Sequence, residues 1–124
     1  MRYMLLIYSR EDDSLTPGEL QQIAERHRGL MEETARRGIL RGAEPLAASA
    51  TATTVRVQGD GVVLMDGPYA ETKEQLAGYY ILDCENLDEA IEWAAKIPTS
   101  CYGSPGCVEI RPMRQMGSAP LVNA

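Results

Sequence analysis

Two short segments of this chain are apolar on both faces, and the rest of its pattern is arranged around them. Residues 2–8 (RYMLLIY) and 78–84 (GYYILDC) read as strands with no polar side to turn toward water. Between them, Thr16-Pro17-Gly18-Glu19 opens a helix, with Thr16 at the N-cap, Pro17 at the first helical position and Glu19 completing a capping box. Leu20, Ile23, Ala24, His27, Leu30, Met31, Thr34 and Ala35 then recur at three- and four-residue spacing and form one inward stripe, which Gly38 ends. Residues 39–46 (ILRGAEPL) are extended, and Pro45 confines them to a sheet edge or strand end. Residues 53–58 (TTVRVQ) and 62–66 (VVLMD) form a hairpin across Gly59-Asp60-Gly61, which supplies residues free to take positive φ. Asn86-Leu87-Asp88-Glu89 caps a second helix with Leu87, Ala90, Ile91, Ala94 and Ala95 inward, stopped by Pro98. Residues 107–112 (CVEIRP) make a last strand, so the domain spans 1–112 and 113–124 form a loose tail.

The order β-α-β-(hairpin)-β-α-β is that of an α+β plait of the ferredoxin-like kind. Its central strands should be the first strand and the one before the second helix, which are the two segments apolar on both faces. Two helices cover one face of such a sheet. The other face then carries either Tyr3, Leu5 and Ile7 or Met4, Leu6 and Tyr8, with alternate members of the 79–82 segment. An apolar face of that size predicts a two-fold homodimer packed sheet to sheet.

Charge narrows the partners. The 124 residues carry a formal charge of −6, and between 71 and 92 seven carboxylates face Lys73 alone. Phosphate contacts need Lys and Arg, so nucleic acid is a poor fit, and an anionic membrane surface is no better. The Met4–Ile7 run is too short for a signal-peptide core. Cys84, Cys101 and Cys107 include no C-x-x-C, and one histidine does not complete a Cys/His metal set. A reduced, cytoplasmic protein without metal or cofactor is expected, a compartment that argues against a Cys101–Cys107 disulfide.

The chemistry-bearing stretch is Asp66-Gly67-Pro68-Tyr69-Ala70-Glu71-Thr72-Lys73-Glu74-Gln75, longer and more titratable than a hairpin connection requires. Thr72 and Gln75 read as a capping box for one helical turn inside it. Asp66 before a Gly-Pro turn ordinarily fixes the turn through backbone N–H groups. Glu71 and Lys73 ordinarily form a solvated surface pair, and Tyr69, Tyr79 and Tyr80 ordinarily serve as packing. His27, alone among the histidines and on the inward stripe, is either a core-lining imidazole or a general acid/base. A base needs an orienting partner, for which Asp66 and Asp83 are the candidates. No nucleophile elbow, phosphate-cradling loop or metal spacing appears.

With DGPYAETKEQLAGYY followed by LDEAIEWAAKIP, and with RYMLLIY and VEIRP at the ends, the chain resembles the DGPF-domain group of the YCII-related family across nearly its whole globular part. Tyr69 stands where the group's name has Phe. The resemblance implies a dimeric α+β barrel of uncertain function, and relatives encoded beside alternative sigma factors imply a sigma factor as partner. It also implies a His–Asp pair in which His27 matches the histidine, while Ile97, before Pro98, stands where the aspartate belongs. Either Asp66 or Asp83 substitutes, or that chemistry is lost.

The expectation is therefore a homodimer that binds or transforms a small organic molecule by cofactor-independent acid/base chemistry. His27 would be the base, Asp66 or Asp83 its orienter, and Tyr69, Glu71, Lys73 and Tyr79 would contact the substrate. The alternative is a non-catalytic accessory or sensor protein whose acidic second helix meets a basic partner.

Overall fold

The structure, a computed structural model, describes residues 1–11, 15–98 and 106–115. Its elements are β1 (Arg2–Arg10), α1 (Pro17–Arg36), β2 (Leu40–Pro45), β3 (Thr53–Gln58), β4 (Gly61–Asp66), β5 (Glu74–Asp83), α2 (Leu87–Ala94) and β6 (Gly106–Pro112), with one 3-10 turn at Ser49–Thr51. The main sheet has the order β2-β5-β1-β6 with every neighbouring pair antiparallel. β1 and β5, the two segments without a polar face, take its centre. Two helices with antiparallel sheets make an α+β fold, consistent with the ferredoxin-like expectation. Among the described residues no helix is long and apolar enough to cross a membrane.

Register decides which side chains meet the helices. Tyr3 lies opposite Leu82, Leu5 opposite Tyr80 and Ile7 opposite Gly78, and cross-strand partners share a face. Tyr3, Leu5, Ile7, Tyr80 and Leu82 are buried with Leu30 of α1 and with Ala90, Trp93 and Ile97 of the second helical segment. Of the two alternatives for β1, the helix-facing set is thus Tyr3, Leu5 and Ile7. Met4, Leu6 and Tyr8 point to the other face, which they share with Tyr79 and Ile81; all five are partly exposed, and no described helix lies on that face.

Two irregularities shape the sheet. Ala77 is an extra residue between the Ile7–Gly78 and Tyr8–Leu76 pairs, a bulge that lets β5 start at Glu74, four residues before the expected strand. Arg41 is skipped between the Leu40–Leu82 and Gly42–Ile81 pairs, and its guanidinium reaches Asp83 at 3.3 Å.

The helices pack less completely than their stripes suggest. The capping box at Thr16 and Glu19 forms as expected, with both bonds at 3.1 Å. On α1, however, only Leu30 and Thr34 are buried, Thr34 donating to the Leu30 carbonyl at 2.9 Å, while Leu20 is 53% exposed. The C-terminal half of α1 sits on the core; the N-terminal half stands over open space. In α2 the expected inward set is corrected. Ala90 and Trp93 face in, followed by Ile97, whereas Leu87 and Ile91 are about half exposed and Ala95 is exposed. Trp93 is the cause: its indole takes the slot under Arg37 and Lys96, at 5.2 and 4.5 Å from the cationic groups, and small Ala90 allows the approach.

The loop after β4 also differs from expectation. Residues 67–73 contain no helical turn. Thr72 donates instead to the Glu74 carbonyl, and the Gln75 amide to those of Ala70 and Thr72, so both side chains brace an irregular loop. The β3–β4 hairpin forms as expected but as a separate two-stranded sheet. The expected loop at 99–106 and its Cys101, and the tail beyond 115, lie largely outside the described residues; Met113 still donates to the Arg2 carbonyl at 2.9 Å.

Gly78 is where the sheet tolerates no side chain. A Cβ there would lie 2.8 Å from the Glu44 carbonyl oxygen and 3.2 Å from the Pro45 Cα, both backbone atoms of β2. Gly78→Ala should push β2 off the sheet and cost about 1–3 kcal/mol, as overpacking does; urea unfolding of the two proteins measures it.

Candidate functional site

The space under the N-terminal half of α1 is a cavity of about 590 Å³. Leu20, Ile23 and Met31 of α1 form its roof, and Ile7, Ala77 and Tyr80 belong to its floor. It exists because α1 is anchored to the core only from Leu30 onward, while β1 and β5 continue beneath its free half. The size and apolar lining suit a small organic ligand.

His27 stands in the wall. The α1 periodicity turns it inward one turn after Ile23, and Tyr80 rises toward it from β5, where alternation puts 80 and 82 on the helix side. Nδ1 of His27 is 2.7 Å from the Tyr80 hydroxyl oxygen, with the rings stacked at 5.9 Å between centroids and 21° between planes. Burial pushes the Tyr80 phenol up to about 12, so it keeps its proton and donates to Nδ1. The Pro98 carbonyl also accepts from the ring. A Tyr80 hydroxyl that donates to Nδ1 leaves the proton of the neutral imidazole on Nε2; the same hydroxyl lies 3.5 Å from the His27 carbonyl oxygen. Burial, with the nearby Arg26 charge, holds the His27 pKa below its ordinary value, and the Pro98 bond opposes that shift.

The remaining expected site residues fall in three places. Tyr79 lines the same cavity. Asp66, Glu71 and Lys73 line a separate shallow cleft with Glu11 and Ser49. The Glu11 carboxylate there accepts from both the Ser49 N–H and the Ser49 hydroxyl, bonds that lower its pKa. Tyr69 is 78% exposed and lies under Arg56 at 5.2 Å. Asp83 sits at the far end of β5, 3.1 Å from the Met1 amino group and 3.3 Å from Arg41. The ammonium hydrogen bond, followed by nearby positive charge, keeps its pKa low. The group beside His27 Nδ1 is therefore Tyr80, and neither Asp66 nor Asp83 occupies that position. Tyr80 was missed because an aromatic residue in a central strand reads as packing. The signal was present, since a phenol on the buried face requires a polar partner and His27 was available on the facing stripe.

Cys84 is buried and its thiol is pushed up to about 11, first by burial and then by Glu89, which disfavours the thiolate. Among the described residues no three of His, Cys, Asp and Glu converge to hold a metal ion.

A two-helix α+β protein with a histidine-walled cavity under its first helix is the class defined so far. The chain belongs to the YCII-related domain family, whose model matches residues 1–117. An uncharacterized protein of Rhizobium meliloti (strain 1021) is 35% identical over 117 residues, which cover 91% of this chain and 92% of that protein. Ile97, where the family resemblance places an aspartate, is a core residue here, 6% exposed. The carbonyl of its neighbour Pro98 meets the imidazole instead.

The depressed His27 pKa fixes a sign. Protonation is harder in the folded than in the unfolded chain, so His27 costs no stability above about pH 6.5 and destabilises progressively as pH falls from there through its folded pKa. Urea unfolding should show stability falling over that window, and His27→Gln should remove this component. Tyr80→Phe leaves Nδ1 without its partner and should cost about 1 kcal/mol at pH 7.5, read by the same titration.

Proposed function

We propose that this YCII-related protein binds a small, largely apolar organic molecule under α1 and exchanges a proton with it without a cofactor. One observation carries the reading: the only histidine forms part of the wall of a largely apolar cavity, its Nδ1 2.7 Å from the hydroxyl of a buried tyrosine. With Nε2–H turned to Pro98, the free lone pair is on Nδ1, behind the Tyr80 hydroxyl. A substrate proton passes to the Tyr80 oxygen as the Tyr80 proton moves to Nδ1. The product is an imidazolium whose Nε2–H stays bonded to the Pro98 carbonyl. That carbonyl thus takes the orienting role expected of a carboxylate. Tyr79 contributes wall, while Asp66, Asp83, Tyr69, Glu71 and Lys73 take no direct part.

The uncovered sheet face of Met4, Leu6, Tyr8, Tyr79 and Ile81 supports a homodimer, two plaits face to face as an α+β barrel.

The test is a screen of small apolar acids, phenols and lactones against protein labelled at its one imidazole. Binders should shift the ring signals of His27. Turnover found for any of them should fall by about 10²–10⁴ in His27→Ala. Full activity in that variant would remove the acid/base reading, and binders that leave the ring untouched would remove the site.

A further inference from the structure

The cavity under α1 is cationic on an acidic protein. The chain carries 18 Asp and Glu against 12 Lys and Arg. Among the described residues, however, the charged side chains of the cavity wall are Arg10 and Arg28, with Glu44 as the one carboxylate. Local charge on the wall thus runs opposite to the net charge of −6. Helical spacing brings Arg28 there, since Leu20, Ala24 and Arg28 follow one another at four residues and all three line the cavity. Arg10 ends β1, one residue past Ser9, which continues the helix-side alternation of Leu5 and Ile7 and adds a hydroxyl to the wall.

Neither guanidinium is engaged within the chain. Among the described residues, ion pairs are made by the Met1 amino group, Arg37, Arg41 and Arg111. Arg10 lies opposite Glu74 in the β1–β5 register and Arg28 shares the wall with Glu44, yet neither couple forms an ion pair. A guanidinium left without a partner presents a planar fork of N–H donors that matches a carboxylate. Both arginines are exposed, so water meets their forks when the cavity is empty. A ligand whose apolar part fills the cavity carries its own charged end to the rim and displaces that water, which strengthens the contact.

We infer that the ligand of this cavity is an apolar monocarboxylate, its body packed under α1 and its carboxylate held at the rim by Arg10 and Arg28. The inference rests on the small-molecule reading above and names the ligand's class. It also orients the molecule. The carboxylate stays with the exposed arginines while the apolar body extends to Tyr80 and His27. The proton exchanged at the Tyr80 hydroxyl then belongs to the body, because the acid group has already lost its own at neutral pH. An alcohol of the same shape fills the same space without the fork contact, and an ammonium meets like charge.

The experiment measures dissociation constants of phenylbutyrate, phenylbutanol and phenylbutylamine from the His27 ring signals of the full chain at pH 7.5. It compares the wild type with the double variant Arg10→Gln, Arg28→Gln. Both substitutions fall on exposed positions, and an unchanged ring spectrum of the free variant confirms the fold. In the wild type the carboxylate should bind about tenfold tighter than the alcohol, the scale of a hydrogen bond to a charged group, and the amine should bind weakest. The double variant should lose that preference and hold the alcohol as before. Equal binding of acid and alcohol, an amine that binds best, or a double variant that keeps the preference or weakens both alike overturns the carboxylate assignment and leaves the small-molecule site standing. A ring that responds to none of the three overturns the site and the assignment together.

Discussion

Everything in this structure depends on the pairing of β1 with β5, two strands with no polar face between them. Their contact puts Leu5, Tyr80 and Leu82 under the helices and Leu6, Tyr79 and Ile81 on the opposite side. Burial of apolar area is the main favourable term in folding, and one chain supplies helices for one face only. A single constraint therefore has two results. It makes the core that positions Tyr80, and it leaves an apolar sheet face that the two helices do not cover.

The site is a by-product of how that core is distributed. α1 is tied down by Leu30 and Thr34, and its capped N-terminal half passes over the sheet without filling the space. A buried polar group must find a partner. In the cavity the Tyr80 phenol and the His27 imidazole find each other, and the Pro98 carbonyl takes the remaining ring N–H. Most of the cavity lining is apolar, with Ser9, Arg10, Arg28 and Glu44 also in its wall. That chemistry suits a molecule that is itself mostly apolar. The carboxylates that seemed the natural partners are engaged elsewhere or exposed: Asp83 with the Met1 amino group and Arg41, Asp66 at a cleft facing solvent.

Much of the fold was legible because its elements are signalled locally. Thr16 and Glu19 announce α1, Gly59-Asp60-Gly61 announces the hairpin, and two apolar runs announce the central strands. The register was not legible, since the Ala77 bulge leaves no pattern in the sequence, and it lengthened β5 by four residues. The rotation of α2 escaped because Leu87 and Ile91 look more buried than Trp93 until the indole's cationic neighbours are placed. His27 was read correctly as inward-facing. A carboxylate is the usual orienter, and only the three-dimensional pairing of residue 80 with Leu5 brings the phenol beneath α1 and beside Nδ1.

The most direct test of the His27–Tyr80 contact is an NMR titration of the single imidazole in wild type, Tyr80→Phe, Asp66→Asn and Asp83→Asn. The ring should be the Nε2–H tautomer with a pKa below about 6.5, altered by Tyr80→Phe and indifferent to both asparagine variants. A ring that titrates near 6.5 regardless of Tyr80, or one that responds to Asp66 instead, would contradict the site as described.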